Sequence, residues 1–570
     1  MVAATPLFPP PQWQFVPASL DVGSVEQVDA LFDVLANREP ADVHELERWL
    51  RDESELLSRL GGETARRYVA MTRNTADDSA RSAYLQFEHT IVPLRKRRTD
   101  QLDRKLLACP LVQELPAAEY EVMLRRRRTA SQLFSSENVD LQRTEAELQT
   151  QQQSLMGGIR VEFAGETRTL QQLAPFLQDQ DRDVREQAFR TGLAARQRHW
   201  AELEGIYDRL VELRTRIARN AGFHTYTPYR FLELGRYDYD ERTCRQIQDA
   251  IAEHVVPAVH QLDRQRAARL GLARLRPWDL DVDEQGRPPL RPFQTQPQLV
   301  GLCRRLVAAV DPEFGTWLDE LDRRDLLDLM SRTDKTPGGY QYQIDDDRVP
   351  FVFANSVGLH ADLQTLLHES GHAMHSLLCR HYDLDSQRDY PIEIAETASM
   401  SMELMGLEHL DLVYPPESAR TVYKKHLQGV LRTLTWIASI DAFQHWVHGQ
   451  PAHDRDERRT AWLDIWRRFG DSVDWTDLGD ARAMAWIRQS HLFTHPFYYI
   501  EYAIAQLAAL QVWQQYRRDR KRAVANYRRA LALGGSRPLP ELFAAMEVQF
   551  DLSAPKLREL VDDVMAQMAN

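Results

Sequence analysis

The stretch Leu366-Leu367-His368-Glu369-Ser370-Gly371-His372-Ala373-Met374-His375 constrains the fold more than any other, because its chemistry works only on a helix. There, His368 and His372 stand one turn apart, about 6 Å along the axis and roughly 40° round it, so both imidazoles can reach one metal ion. Glu369 then lies beside that ion. Its carboxylate can take a proton from a water whose pKa the metal lowers to about 7, which suits attack on the carbonyl of a peptide bond. Leu363, Leu366, Leu367, Ala373, Leu377 and Leu378 recur at helical spacing through the motif, with Asp362 expected as its N-cap. His375 reads as an outer neighbour of the metal or a surface residue.

Two imidazoles need a third ligand, with one position left open for water. Downstream, Pro391 followed by good helix formers predicts a second helix on which Glu393, Glu396, Ser399, Met400 and Glu403 lie near one face. Position alone prefers none of the three glutamates. The four cysteines, Cys109, Cys244, Cys303 and Cys379, lie far apart without paired metal spacing. The expected metal site is therefore built from histidine and carboxylate, in a reducing compartment.

A chain of 570 residues can bury a large core and divide into two or more lobes. Its 71 basic against 84 acidic residues, a net charge of −13, argue against nucleic acid or an anionic membrane as partner. The basic runs Leu124–Arg128 and Arg517–Arg522 read as solvated helix faces. The proline-rich start lacks the basic and apolar regions of a signal peptide, and no later run approaches a membrane span, so a cytoplasmic protein is expected.

In chain order, an extended arm at the start leads into helical patterns over Ser24 to Arg73, Ala76–Val92, Arg95–Ala108 and Ala117–Leu133. Alternation about a glycine turn predicts a β-hairpin at Arg160–Thr169. A long helix is expected from Asp181 to Ala218, and the aromatic segment Asn220–Arg236 reads as core packing. Leu275–Pro292 reads as an irregular loop. A second β region, Pro337–Ile344 with Val349–Ser356, lies just before the motif helix, where an extended edge could bind a peptide as an added strand.

His368-Glu369-Ser370-Gly371-His372 with Glu393-Ile394-Ala395-Glu396-Thr397-Ala398-Ser399 resembles the oligoendopeptidase F branch of the thimet-oligopeptidase-like zinc metallopeptidases. A second match is His491-Leu492-Phe493-Thr494-His495-Pro496-Phe497-Tyr498-Tyr499-Ile500-Glu501-Tyr502. The resemblance implies Glu396 as third ligand to one zinc ion per chain, and Glu403 behind a ligating imidazole. It implies substrate binding and oxyanion stabilisation by His491, Tyr499 and Tyr502, with Tyr498 an alternative to Tyr499. It also implies a cleft-lining β segment containing Gly338, Gly339, Tyr340, Phe353, Ala354 and Asn355. The Ser356–Ala361 loop departs from the family pattern.

The expectation is a mainly α protein, with two helical lobes enclosing a deep catalytic cleft and a small β ribbon beside the zinc helix. Residues 1–190 would form the N-terminal helical lobe and 191–570 the catalytic region. The resemblance implies a zinc-dependent oligoendopeptidase acting on short unfolded peptides, with Glu369 activating the water. Alternatives are a helical zinc carboxypeptidase, which would release only C-terminal residues, and a catalytically silent peptide-binding protein. The sequence sets no oligomeric state.

Overall fold

The computed structural model describes residues 7–336, 338–470 and 472–569, and almost all of its regular structure is helical. The chain forms two compact units, each assembled from three segments. One comprises Met1–Phe134, Phe293–Val413 and Ala508–Phe550; the other comprises Ser135–Pro292, Tyr414–Leu507 and Asp551–Asn570. The boundary expected near residue 190 falls inside the helix Arg182–Gln197, well within the second unit. Three separate stretches make each core, so no single cut in the chain separates them.

The first unit packs Val28, Phe32 and Leu35 of helix Val25–Asn37 against Trp49, Leu50 and Leu60 of helix Val43–Arg73 and Phe87 and Ile91 of helix Asp78–Ala108. That last helix is continuous through Pro93, where two helices were expected. The proline lies deep in the helix, where it removes one backbone donor without ending the element. Residues 7–11 of the expected arm form neither helix nor strand, and residues 1–6 lie outside the described ones. The basic run at Leu124–Arg128 is not wholly solvated. Arg127 is buried and donates to Glu53 at 2.7 and 3.0 Å and to Asp103 at 2.8 Å, because a buried guanidinium needs carboxylates around it.

Two small sheets interrupt the helices. Strands β1 (Arg160–Phe163) and β2 (Glu166–Thr169) form the expected antiparallel hairpin in the second unit. Ala164 and Gly165 make its turn with φ of 53° and 78°, the two positive values that a tight hairpin turn needs. In the first unit, β3 (Leu327–Met330), β4 (Tyr340–Ile344) and β5 (Val349–Ser356) form a sheet in the order β3-β5-β4. Strand β3 pairs parallel to β5, and β4 antiparallel. The expected ribbon is thus extended by a strand whose Leu-rich sequence reads as helix. Lys335 locks the region. Its buried ammonium donates to Asp328 Oδ1 and O, Met330 O and Ala354 O, and lies over the Phe353 ring.

The second unit is organised on the helix Pro416–Gly449, whose Ile440, Phe443 and Val447 meet Tyr207, Leu210, Trp462, Trp486 and Phe493. The long helix expected from Asp181 is broken into Arg182–Gln197 and Trp200–Asn220. Among the described residues no helix is long and apolar enough to cross a membrane.

Candidate metal centre

Strand β5 leads straight into the helix that carries the histidine motif, His360–Cys379. The helix begins three residues earlier than an Asp362 cap requires. Asp362 sits in its first turn and reaches back, accepting from the backbone N–H groups of Val357 at 2.9 Å and Leu359 at 2.8 Å. The second helix, Ile392–Leu407, crosses it closely at Gly371. A Cβ on Gly371 would collide with Ser399 Cα and stand 2.7 Å from the Ala398 carbonyl oxygen. The bare glycine therefore brings the glutamates of one helix against the imidazoles of the other.

At this crossing His368, His372 and Glu396 each offer a ligand atom within 4.8 Å of the other two. Glu396 Oε2 lies 3.3 Å from His368 Nε2 and 3.5 Å from His372 Nε2, and the two rings stand at 85°. The Ser399 hydroxyl lies 2.9 Å from the Glu396 carbonyl oxygen and 3.2 Å from Glu396 Oε2, sharing its one proton between them. Glu403 is not in this group; its Oε1 lies 2.7 Å from His368 Nδ1, on the far side of the ring. Gln364 Nε2 donates to the other Glu403 oxygen at 2.9 Å. Gln364 was not singled out from sequence, although it lies one turn before His368 on the same helix. Glu393 does not join the grouping.

Burial opposes a proton on His368, but its hydrogen bonds to Glu396 and Glu403 prevail and raise its pKa well above the usual imidazole value. Burial lowers His372 to about 4. Burial, with Glu396 and Glu403 nearby, pushes the Glu369 carboxyl up to about 7 against the opposing pull of His368. Glu369 is buried, and its Oε2 has no hydrogen-bond partner among the described residues. Two imidazole nitrogens, one carboxylate oxygen and a further unpartnered carboxylate oxygen suit a divalent cation that prefers nitrogen and oxygen donors, zinc above all. His375 is neither a surface residue nor a member of the cluster. It is fully buried, stacked on Tyr390 at 3.5 Å, and burial lowers its pKa.

Pro337 lies outside the described residues. Phe353 and Ala354 are buried, and Tyr340 stacks on Phe353 at 4.7 Å with its hydroxyl bonded to Thr72. Asn355 directs its amide donors to the carbonyls of Thr336 and Gly338, fastening the loop that holds Gly338 and Gly339. Strand β5 is paired on both sides, so the edges left unpaired within the sheet belong to β3 and β4.

His491, Tyr498, Tyr499 and Tyr502 come together in the second unit. The His491 ring lies 5.5, 5.2 and 6.0 Å from the three tyrosine rings in turn, and Gln489 Nε2 is 2.6 Å from His491 Nδ1. Burial pushes Tyr499 up to about 12 and, with neighbouring His491, lowers His495 to about 4. Three arginines that sequence inspection did not mark hold the backbone of this segment. Arg214 donates to the carbonyls of Leu492 and Phe493, Arg230 to that of Pro496, and Arg236 to that of Phe497 while pairing with buried Glu501 at 2.7 Å. Phe497 has a φ of 64°, a conformation few non-glycine residues adopt, and its N–H donates to Gln444 Oε1. Tyr226, Tyr229 and Phe231 of the Asn220–Arg236 segment are buried core residues, as expected.

The model of peptidase family M3 matches residues 176–562. An oligoendopeptidase F homolog of Borreliella burgdorferi is 27% identical over 189 residues, 32% of this chain. The oligopeptidase PepF of Bacillus subtilis is 26% identical over 237 residues, 40% of this chain. The matched stretches span only about a third of those relatives, 31% and 34% of their lengths. A solved structure of PZ peptidase A with an inhibitor superposes with a TM-score of 0.92 at 26% identity, covering 98% of this chain and 99% of that one. With the family model matched over more than half of its length, this chain belongs to peptidase family M3.

Proposed function

We propose that the protein is a zinc-dependent oligoendopeptidase that hydrolyses internal bonds of short unfolded peptides. The observation that carries this reading is the convergence of His368, His372 and Glu396 beside the buried, unpartnered oxygen of Glu369. The family membership and the relatives' names support it. His368, His372 and Glu396 would hold one zinc ion, which when bound supplies Lewis-acid polarisation of the scissile carbonyl and lowers the pKa of the attacking water.

Glu369 takes the proton of the attacking water and later returns it to the leaving amine. Glu403 accepts the Nδ1 proton of His368, which leaves the Nε2 lone pair for the metal when one is bound, and Gln364 holds Glu403 in place. His491, Tyr499 and Tyr502, with Tyr498 as an alternative, donate to the oxyanion that develops on the former carbonyl oxygen. Main-chain groups of Gly338, Gly339 and Tyr340 pair with extended substrate, a role open to β4 and closed to doubly paired β5.

Digestion of a mixed peptide library with and without a chelator, followed by mass analysis, tests this reading. The expected result is internal cleavage of short peptides that chelation abolishes. Release of C-terminal residues alone would assign a carboxypeptidase, and intact peptides at every metal level would assign a binding protein.

A further inference from the structure

The cysteines are far apart in sequence, yet the fold brings one of them to a second ligand cluster, entirely within the second unit. Cys244 lies on the helix Glu241–Ala250, and Asp441 and His445 lie one turn apart on the helix Pro416–Gly449. Each offers a ligand atom within 4.8 Å of the other two. Spacing along the chain could not reveal this, because the thiol comes from a helix almost two hundred residues away.

The polar groups of the cluster are incompletely matched by protein. Cys244 and Asp441 are fully buried. Asp441 Oδ2 accepts from Gln248 Nε2 at 2.7 Å, but Asp441 Oδ1 has no hydrogen-bond partner among the described residues. Neither ring nitrogen of His445 has one. His445 Nε2 stands 3.5 Å from Asp441 Oδ2, while Nδ1 faces Glu241 Oε2 at 3.8 Å. An orphaned buried carboxylate oxygen costs more free energy than a folded protein commonly leaves uncompensated. A cation bound by sulfur, nitrogen and oxygen would satisfy it, and Glu241 stands on the side of His445 where a ligating histidine usually has its outer partner.

We propose that Cys244, Asp441 and His445 form a second metal site for a borderline-soft divalent ion, zinc first, with a structural role. Thiolate with imidazole selects zinc over magnesium or calcium, which take oxygen donors. Binding would release the Cys244 thiol proton to solvent and join the two helices through Cys244 Sγ and the Asp441 and His445 side chains. The His445 ring packs 5.1 Å from Phe497, so the joint would also stiffen the base of the segment that carries His491 and the tyrosines.

Cobalt substitution tests the site, because only a thiolate ligand gives a sulfur-to-cobalt charge-transfer band in the near ultraviolet. Chelator-stripped full-length protein is titrated with Co²⁺ and Zn²⁺, with metal counted per chain. The expected result is two ions per chain and a thiolate band. The band should vanish in Cys244→Ser, weaken or shift in Asp441→Asn, and persist in Glu396→Ala, which loses one ion of the two. A single ion per chain without a thiolate band, or no thiolate band at any cobalt level, overturns the proposal without bearing on the His368 site. A band that survives in Cys244→Ser also overturns it.

Discussion

Gly371→Ala tests what brings the two helices of the metal centre together. The added methyl would stand 2.7 Å from the Ala398 carbonyl oxygen and closer still to Ser399 Cα, where ordinary contact begins at 3.4 Å. Both obstacles are backbone, so no rotamer change relieves them. The crossing must open by about 1 Å to clear Ser399 Cα, 2.4 Å from the built methyl, several times the ~0.2 Å tolerance of metal–ligand distances. Overpacking of this kind costs about 1–3 kcal/mol, of which the better helix propensity of alanine returns up to ~1 kcal/mol. Because Glu396 moves with Ser399 and Ala398, zinc affinity should fall on the order of 10- to 100-fold, as for loss of a supporting partner. Thermal unfolding of the stripped protein and competition against a chromophoric chelator measure the two effects. Gly406→Ala is the matched control, because its methyl meets Leu367 Cδ1 at an ordinary 3.4 Å. Gly429→Ala meets nothing within 4 Å and should stabilise by up to ~1 kcal/mol. A Gly371→Ala protein that melts and binds zinc like the unaltered one would refute the reasoning.

Glu403→Gln or Gln364→Ala should lower zinc affinity roughly 10- to 100-fold while preserving the melting temperature of the stripped protein, measured by chelator competition. Arg236→Met removes both the guanidinium partner of Glu501 and the donor to the Phe497 carbonyl. It should destabilise by about 3–5 kcal/mol in urea unfolding and depress peptide turnover more than zinc content. Asp328 is buried, which disfavours its charge, but hydrogen bonds from Arg332 and Lys335 prevail and lower its carboxyl to about 2. The unfolded carboxyl, near 3.9, binds its proton first as pH falls, so this contribution is present above about pH 4 and is lost towards pH 2. It amounts to roughly 2–3 kcal/mol. Asp328→Asn should therefore flatten the acid limb of stability against pH over that window, and an unchanged limb would remove Asp328 from the account.

Local periodicity and turn chemistry were legible in the sequence. The helix Ala117–Leu133 and the hairpin at Arg160–Thr169 follow from patterns within twenty residues. The motif helix was legible too, although Asp362 was read as the residue before it, because a carboxylate bonding back to Val357 and Leu359 resembles a cap in sequence. Features decided by distant packing were hidden. Strand β3 has the composition of a helix and is a strand only because β5 pairs with it. Gly371 looks like an ordinary spacer until Ser399 arrives against it, and nothing near Cys244 announces Asp441 or His445. The arginines that hold residues 492–497 come from 260 to 280 positions upstream, beyond the reach of any local pattern.

Glu369→Gln decides whether Glu369 is the proton carrier beside a metal held by His368, His372 and Glu396. Peptide turnover and metal content are measured on the same preparation. Metal content should equal that of the unaltered protein, with turnover lower by about 10²- to 10⁴-fold, the usual contribution of a positioned acid–base group. Turnover within a few-fold of the unaltered enzyme in a fully metal-loaded Glu369→Gln protein would contradict that role.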